Sequence, residues 1–248
     1  MDYNYLVKVE YDGTKYVGWQ YQKNGISVQE VIETKLKKHF KKKIRIIGAG
    51  RTDKGVHALG QCANFLIKTK IENKKKFLSS INFFLRPHLI SLLDVQKKKA
   101  DFNSRYDAKE RFYEYKIVNR HSELAINKKK VWLIRKKLSL KLLKKGAKIL
   151  EGRHDFSTFR ASSCSSKSPL KKMNKVIVKK NGEAISIIFQ SKSFLQNQVR
   201  SMVGCLIYLS LQIWNTKKFH VIFKSKSRKL CAPPAPAHGL YLTKVKYN

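Results

Sequence analysis

The chain has 248 residues, 42% of them hydrophobic, enough for one large domain or two smaller ones with separate cores. Its 54 Lys and Arg against 16 Asp and Glu give a formal net charge of +38, which favours a polyanionic partner, nucleic acid or anionic membrane, over acidic multi-metal chemistry. Only 11 of these cations are Arg and 43 are Lys, so much of the Lys excess reads as compositional bias on a solvated surface, and the arginines carry more information.

"YLVKVEY" alternates apolar and polar residues and predicts a strand over 5–11. "SVQEVIETKLKKHF" predicts a helix with Val28, Ile32, Leu36 and Phe40 on one face and a Ser27/Glu30 capping box at its start. "IRIIGAG" is a short strand, "QCANFLI" resumes extended structure, "KKFLSSINFFL" is a helix ending before Pro87, and "LISLLDVQ" is a strand. The rhythm returns further on: "RFYEYKIV" as a strand, "SLKLLKKGAKIL" as a helix with Leu142, Leu143, Ala147 and Leu150 inward, then a hairpin turning at Asn181-Gly182. A helix over about 196–214 and a closing strand, "GLYLTKVKY", complete the series. This pattern predicts an α+β protein with two similar domains, 1–103 and 104–248. The Ser-rich stretch "STFRASSCSSKSP" is the main irregular segment and reads as a loop or a flexible linker.

Residues 202–214 form the longest apolar run, too short to span a bilayer and best read as a buried helix. Cys62, Cys164, Cys205 and Cys231 are far apart and form no C-x-x-C pair; with no signal-peptide pattern, they point to reduced thiols in a cytoplasm. Histidines are scattered without zinc spacing, and no P-loop, G-x-G-x-x-G or G-x-S-x-G occurs.

What remains is "GAGRTDKGVHALGQ", residues 48–61, where one acid, Asp53, sits among Arg51, Lys54 and His57 between Gly50 and Gly55. An ion pair on the surface accounts for a carboxylate among cations but not for glycines on both sides. An ionised Asp in a cationic pocket can act as a nucleophile or stabilise positive charge on a sugar. Chemistry on a base within nucleic acid requires taking that base out of its stack, and Tyr113 and Tyr115 in "ERFYEYKI" offer aromatic support, or else cross-strand packing. Arg200 is the only charge in "FLQNQVRSMVGCL", and a guanidinium there needs a partner or a route to water.

"GAGRTDKGVHALGQ" resembles the A-G-R-T-D-x-G-V-H-A-x-G-Q motif of the TruA family of tRNA pseudouridine synthases. "EYDGTKYVGWQYQKNGISVQEVIE", "RFYEYKI", "GRHDFSTFR", "CSSKSPLKK", "FLQNQVRSMVGCL" and "APAHGLYLTKVKY" resemble further blocks of that family in order. The resemblance implies two ferredoxin-like α/β domains packed around a central antiparallel sheet, the second domain completing the active-site cleft. It implies isomerisation of uridine to pseudouridine at positions 38, 39 and 40 of the tRNA anticodon stem-loop, by a homodimer without cofactor or metal. It also implies Asp53 as nucleophile, Arg51 as its loop partner, Tyr113 against the flipped base, Arg200 paired with the aspartate and Leu240 as an apolar wall. The chain departs from the family at Gln196 and Asn197, where two histidines are frequent, and at Asn103, where a His is usual; "FLRPHLI" replaces a common Leu-Pro-x-Asp segment. The alternatives are a tRNA-binding protein or RNA chaperone that has lost catalysis, and a nonspecific basic binder; the intact Arg51-Thr52-Asp53 segment speaks against both.

Overall fold

The computed structural model describes residues 2–248. The chain forms two compact units, one of Met1–Lys109 with Leu242–Asn248 and the other of Glu110–Tyr241.

In the first unit, β1 (Tyr3–Tyr11) runs antiparallel between β3 (His57–Ile67) and β4 (Ile90–Lys98), and β2 (Ile46–Gly48) pairs with β3. The register sets Val7 opposite both Ala63 and Val95, and Tyr5 opposite Phe65. Two helices, α1 (Val28–Phe40) and α2 (Lys74–Leu85), bury Val28, Ile32, Leu36, Phe77, Ile81 and Leu85 in this core. The capping box forms as predicted: the Glu30 N–H donates to Ser27 Oγ at 3.2 Å, and the Ser27 N–H to the Glu30 carboxylate at 3.4 Å. Pro87 falls in a short 3-10 turn after α2, where a missing N–H costs little. A buried polar cluster is satisfied internally: Asn4 Nδ2 donates to the Phe102 carbonyl at 2.8 Å, Asn64 Nδ2 to Asn4 Oδ1 at 3.0 Å, and the Ser104 N–H to Asn64 Oδ1 at 2.9 Å.

Residues 242–248 return to this unit after the chain has built the second. Within the last strand, β10 (Leu240–Lys246), the Thr243 carbonyl lies 2.4 Å from where a Cβ on Gly60 would stand, so β3 and β10 approach as only glycine allows. The Lys109 N–H donates to the Lys246 carbonyl at 2.9 Å, and the Tyr247 ring meets Phe102 at a 60° tilt with centroids 5.2 Å apart.

In the second unit the antiparallel order is β5 (Glu110–Asn119), β9 (Ala184–Ser191), β8 (Leu170–Asn181) and β7 (Gly152–Asp155), with β6 (Trp132–Ile134) parallel to β5. The predicted hairpin is present: Asn181 pairs with Ala184, and Gly182 takes φ 55°. Three helices, α3 (Leu140–Ile149), α4 (Gln198–Ser210) and α5 (Thr216–Lys224), complete the unit. Helix α4 is shorter than the predicted 196–214 because left-handed residues, Asn197 at φ 61° and Gln212 at φ 59°, flank it. Gly146 brings α3 onto α4, since a Cβ there would lie 2.7 Å from Leu206 and Leu209 methyls. The Ser-rich stretch is not a linker. Both its ends lie in this unit, and Arg160 Nη2 donates to the Cys164 and Ser166 carbonyls, each at 2.7 Å. The α+β class read from the sequence is what the chain forms, and of the strand pairs given above only β5–β6 is parallel.

Candidate active site

The loop carrying Asp53 leaves β2 and re-enters the sheet at β3, so both its ends are anchored in the core of the first unit. Between them its backbone is gripped by the segment after β1. The Trp19 N–H donates to the Thr52 carbonyl at 3.1 Å, the Gly55 N–H to the Tyr16 carbonyl at 3.4 Å, and Gly18 forms a bridge pair with Asp53. The contact is too close for side chains. A Cβ on Gly18 (φ 126°) would lie 2.6 Å from the Thr52 carbonyl oxygen, and one on Gly13 only 1.9 Å from that of Val56. Within the loop the Val56 N–H donates to the Asp53 carbonyl at 3.2 Å, closing a turn in which Gly55 takes φ 78°. Thr52 is buried with its hydroxyl 2.8 Å from the Tyr11 hydroxyl, and Gln61 Nε2 donates to the Gly50 carbonyl at 2.7 Å.

These bonds leave Asp53 half-buried on a fixed backbone, with Arg51 and Lys54 exposed on either side. A carboxylate so placed reaches a ligand without the loop having to reorganise, which is what a nucleophile or a fixed charge requires. His57 does not join the exposed cations. It is 1% exposed, and its Nδ1 lies 3.1 Å from both the Gly13 N–H nitrogen and Asp12 Oδ1. With the Gly13 N–H aimed at Nδ1 the ring carries its proton on Nε2; protonated at Nδ1, it pairs with Asp12 instead. Either way His57 ties the loop to the turn after β1, at Gly13 in one state and at Asp12 in the other, a contact that sequence reading did not single out.

In the second unit, Arg200 sits in the first turn of α4. Its Nε donates to the Ala235 carbonyl at 2.8 Å and its Nη1 to Asn197 Oδ1 at 3.0 Å, while its own carbonyl accepts the Ala235 N–H at 3.0 Å. Asn197 thus spends its side chain on Arg200 and makes no capping bond to its helix. Its neighbour Gln196 reaches elsewhere, accepting from the Ser163 hydroxyl at 3.3 Å. Two further groups lie within electrostatic range of Arg200. Burial pushes the Tyr115 phenol well above its usual range, partly opposed by the Arg200 charge. Burial also holds His238 below the ordinary imidazole value, helped by Arg200 and Lys129 and opposed by a backbone hydrogen bond at Val131.

The two tyrosines of β5 separate. Tyr115 is fully buried, its hydroxyl donates to the Pro236 carbonyl at 2.7 Å and Gly239 packs against its ring, so it is a packing residue and not a support for a base. Tyr113 is 7% exposed and meets Phe194 edge to face at 5.0 Å. Leu240 is buried at the start of β10. Asp53 and Arg51 therefore belong to the first unit, and Tyr113, Arg200 and Leu240 to the second.

Among the described residues no helix is long and apolar enough to cross a membrane. A family model described as tRNA pseudouridine synthase matches residues 8–107 and 147–248, which include the Asp53 loop and the α4–β10 region. The chain is similar over nearly its whole length to proteins named tRNA pseudouridine synthase A. It is 52% identical over 245 residues to that of Pelagibacter ubique, covering 99% of this chain and 100% of the relative. The relative from Parvibaculum lavamentivorans is 39% identical over 244 residues, covering 98% and 99%, and that from Afipia carboxidovorans 40% over 243 residues, covering 98% and 99%.

Proposed function

Because the chain belongs to the tRNA pseudouridine synthase family, we propose that it isomerises uridine to pseudouridine at positions 38, 39 and 40 of the tRNA anticodon stem-loop. The chain is an isomerase of tRNA uridines. The observation that carries the assignment of its chemistry is Asp53, a half-buried carboxylate on a backbone fixed by Gly13, Gly18 and Gly55.

The reaction breaks the N1–C1′ glycosidic bond, turns the base and makes a C5–C1′ bond; one proton leaves C5 and one is gained at N1, so no redox partner is needed. Asp53 is the proposed nucleophile and Arg51 its companion in the loop. Tyr113 packs against the flipped base, Leu240 forms an apolar wall beside it, and Arg200 supplies a cation that Ala235 and Asn197 hold in place. No cofactor or metal takes part in this scheme. The cytoplasm as location is supported by four free cysteines, and a homodimer by the family resemblance.

Tritium release from tRNA carrying 5-tritiated uridine tests the reading, since the proton lost from C5 is the labelled one. Wild type is expected to release tritium, with modification mapping to positions 38–40, and Asp53→Ala is expected to release none. Tight tRNA binding without release by wild type would instead mark a binding protein that has lost catalysis. Light scattering at micromolar concentration reads the dimer.

A further inference from the structure

Cys205 and Cys231, 26 positions apart in the chain, bring their sulfurs to 3.4 Å. The approach has an identifiable cause. Gly204 lies under the Pro233 carbonyl, where a Cβ would stand 2.1 Å from the oxygen, so the stretch following Cys231 lies flat against α4. The reciprocal Arg200–Ala235 bonds pin the same stretch at its other end. A 3-10 turn, Arg228–Leu230, then sets Cys231 at its close, its N–H donating to the Arg228 carbonyl at 3.2 Å.

The two thiols are not equivalent. Cys205 is buried inside α4, and its thiol is pushed far up by the hydrogen bond to Cys231 and by burial. Cys231 is partly buried but less so than Cys205, and its thiol is held below the ordinary value, first by the Cys205 thiol and then by the Arg228 guanidinium, against the effect of burial. Arg228 Nη1 is itself buried without a hydrogen-bond partner, a donor available to oxygen on the neighbouring sulfur.

We propose that Cys231 and Cys205 form a reversible oxidation site that closes to a disulfide, with Cys231 attacking and Cys205 resolving. The Cys231 thiolate attacks a peroxide oxygen, the O–O bond breaks, and the released hydroxide leaves as water after taking a proton, giving a sulfenic acid. The Cys205 sulfur, losing its proton, then displaces that hydroxyl as water, and the S–S bond forms. One peroxide is reduced and two thiols are oxidised; a dithiol reductant reverses the step. The bond would tie α4 to the stretch that carries the Ala235 acceptor of Arg200.

The intact protein treated with hydrogen peroxide and digested without reductant is expected to yield a Cys205–Cys231 linked peptide, lost after dithiothreitol. Cys62 provides an internal control, since burial pushes its thiol to about 11, and Cys231 should react at least about tenfold faster. In Cys205→Ser the sulfenic acid has no resolving thiol and should be trapped on Cys231 by dimedone. In Cys231→Ser, Cys205 should stay unoxidised. Recovery of both cysteines as free thiols under peroxide that oxidises Cys62, or absence of the dimedone adduct, overturns the proposal. Neither readout uses tRNA, so the result stands apart from the proposed function.

Discussion

Around Asp53 the contacts that set geometry are made by backbone: the Trp19 and Gly55 N–H groups, the Thr52 and Tyr16 carbonyls, and glycines packed where no Cβ fits. Around Arg200 the backbone also contributes, through the Ala235 N–H and the close pass at Gly204, but the functional group itself is held through side chains: its guanidinium on the Ala235 carbonyl and Asn197, and the nearby Tyr115 hydroxyl on Pro236. A backbone cradle is fixed by which residues are absent at a position, and any added atom collides with peptide groups that cannot move aside. A side-chain cradle is fixed by separate acceptors, here one remote (Ala235) and one local (Asn197), and it loosens in steps as each is removed. The first kind holds one geometry; the second can be substituted and retuned one partner at a time.

The sharpest way to break this contrast is at the carboxylate itself. Asp53→Asn and Asp53→Ala should lower pseudouridine formation by about 10³-fold or more in single-turnover assays. Their tRNA affinity should stay within about threefold, because binding is spread over many cationic contacts. Residual turnover of more than a few per cent would remove Asp53 as nucleophile. Next comes the backbone cradle. Gly13→Ala forces a Cβ to 1.9 Å from the Val56 carbonyl, and about 3 kcal/mol of stability should be lost in urea unfolding, with activity falling too. Gly182→Ala, at a hairpin turn with open space around it, should cost only about 1–2 kcal/mol, from its positive φ alone.

The side-chain cradle should respond in smaller steps. Arg200→Met is expected to slow turnover about 10²-fold while tRNA affinity changes less than about threefold. Equal losses in both would make Arg200 a phosphate contact. Tyr115→Phe leaves the Pro236 carbonyl without its donor and should cost about 1–2 kcal/mol in stability. The smallest effect belongs to the lysines. Lys179→Gln and Lys217→Gln should leave the salt dependence of tRNA binding unchanged, whereas loss of a true phosphate contact lowers the log–log slope by about 0.9.

What the sequence revealed follows the same division. The Asp53 loop and the Asn181-Gly182 hairpin were legible because a glycine-dependent backbone writes itself into residue identity, and the capping box because Ser27 and Glu30 stand at a fixed local spacing. Helix α5 and the short strands β6 and β7 were not anticipated; a three- or four-residue strand has too few alternations to register as a pattern. The Ala235 acceptor of Arg200, the hydrogen bond that buries Tyr115 and the pairing of His57 with Asp12 or Gly13 depend on residues 35 or more positions away, which local pattern cannot specify. The Cys205–Cys231 contact escaped for the same cause: spacing suggested four separate thiols, and Gly204 brought two together.

Residues 242–248 rejoin the first unit only after 132 intervening residues, Glu110–Tyr241, have been made. During translation the second unit is a continuous stretch that emerges whole, whereas the first leaves the ribosome early and waits with the part of the β3 edge that β10 takes, beyond the stretch paired with β2, uncovered and Tyr247 missing from Phe102. An uncovered strand edge invites pairing with other chains. A nascent polypeptide stalled before residue 242 therefore carries a complete Asp53 sequence in an unfinished unit. It would be a substrate for chaperones and proteases before it could handle RNA.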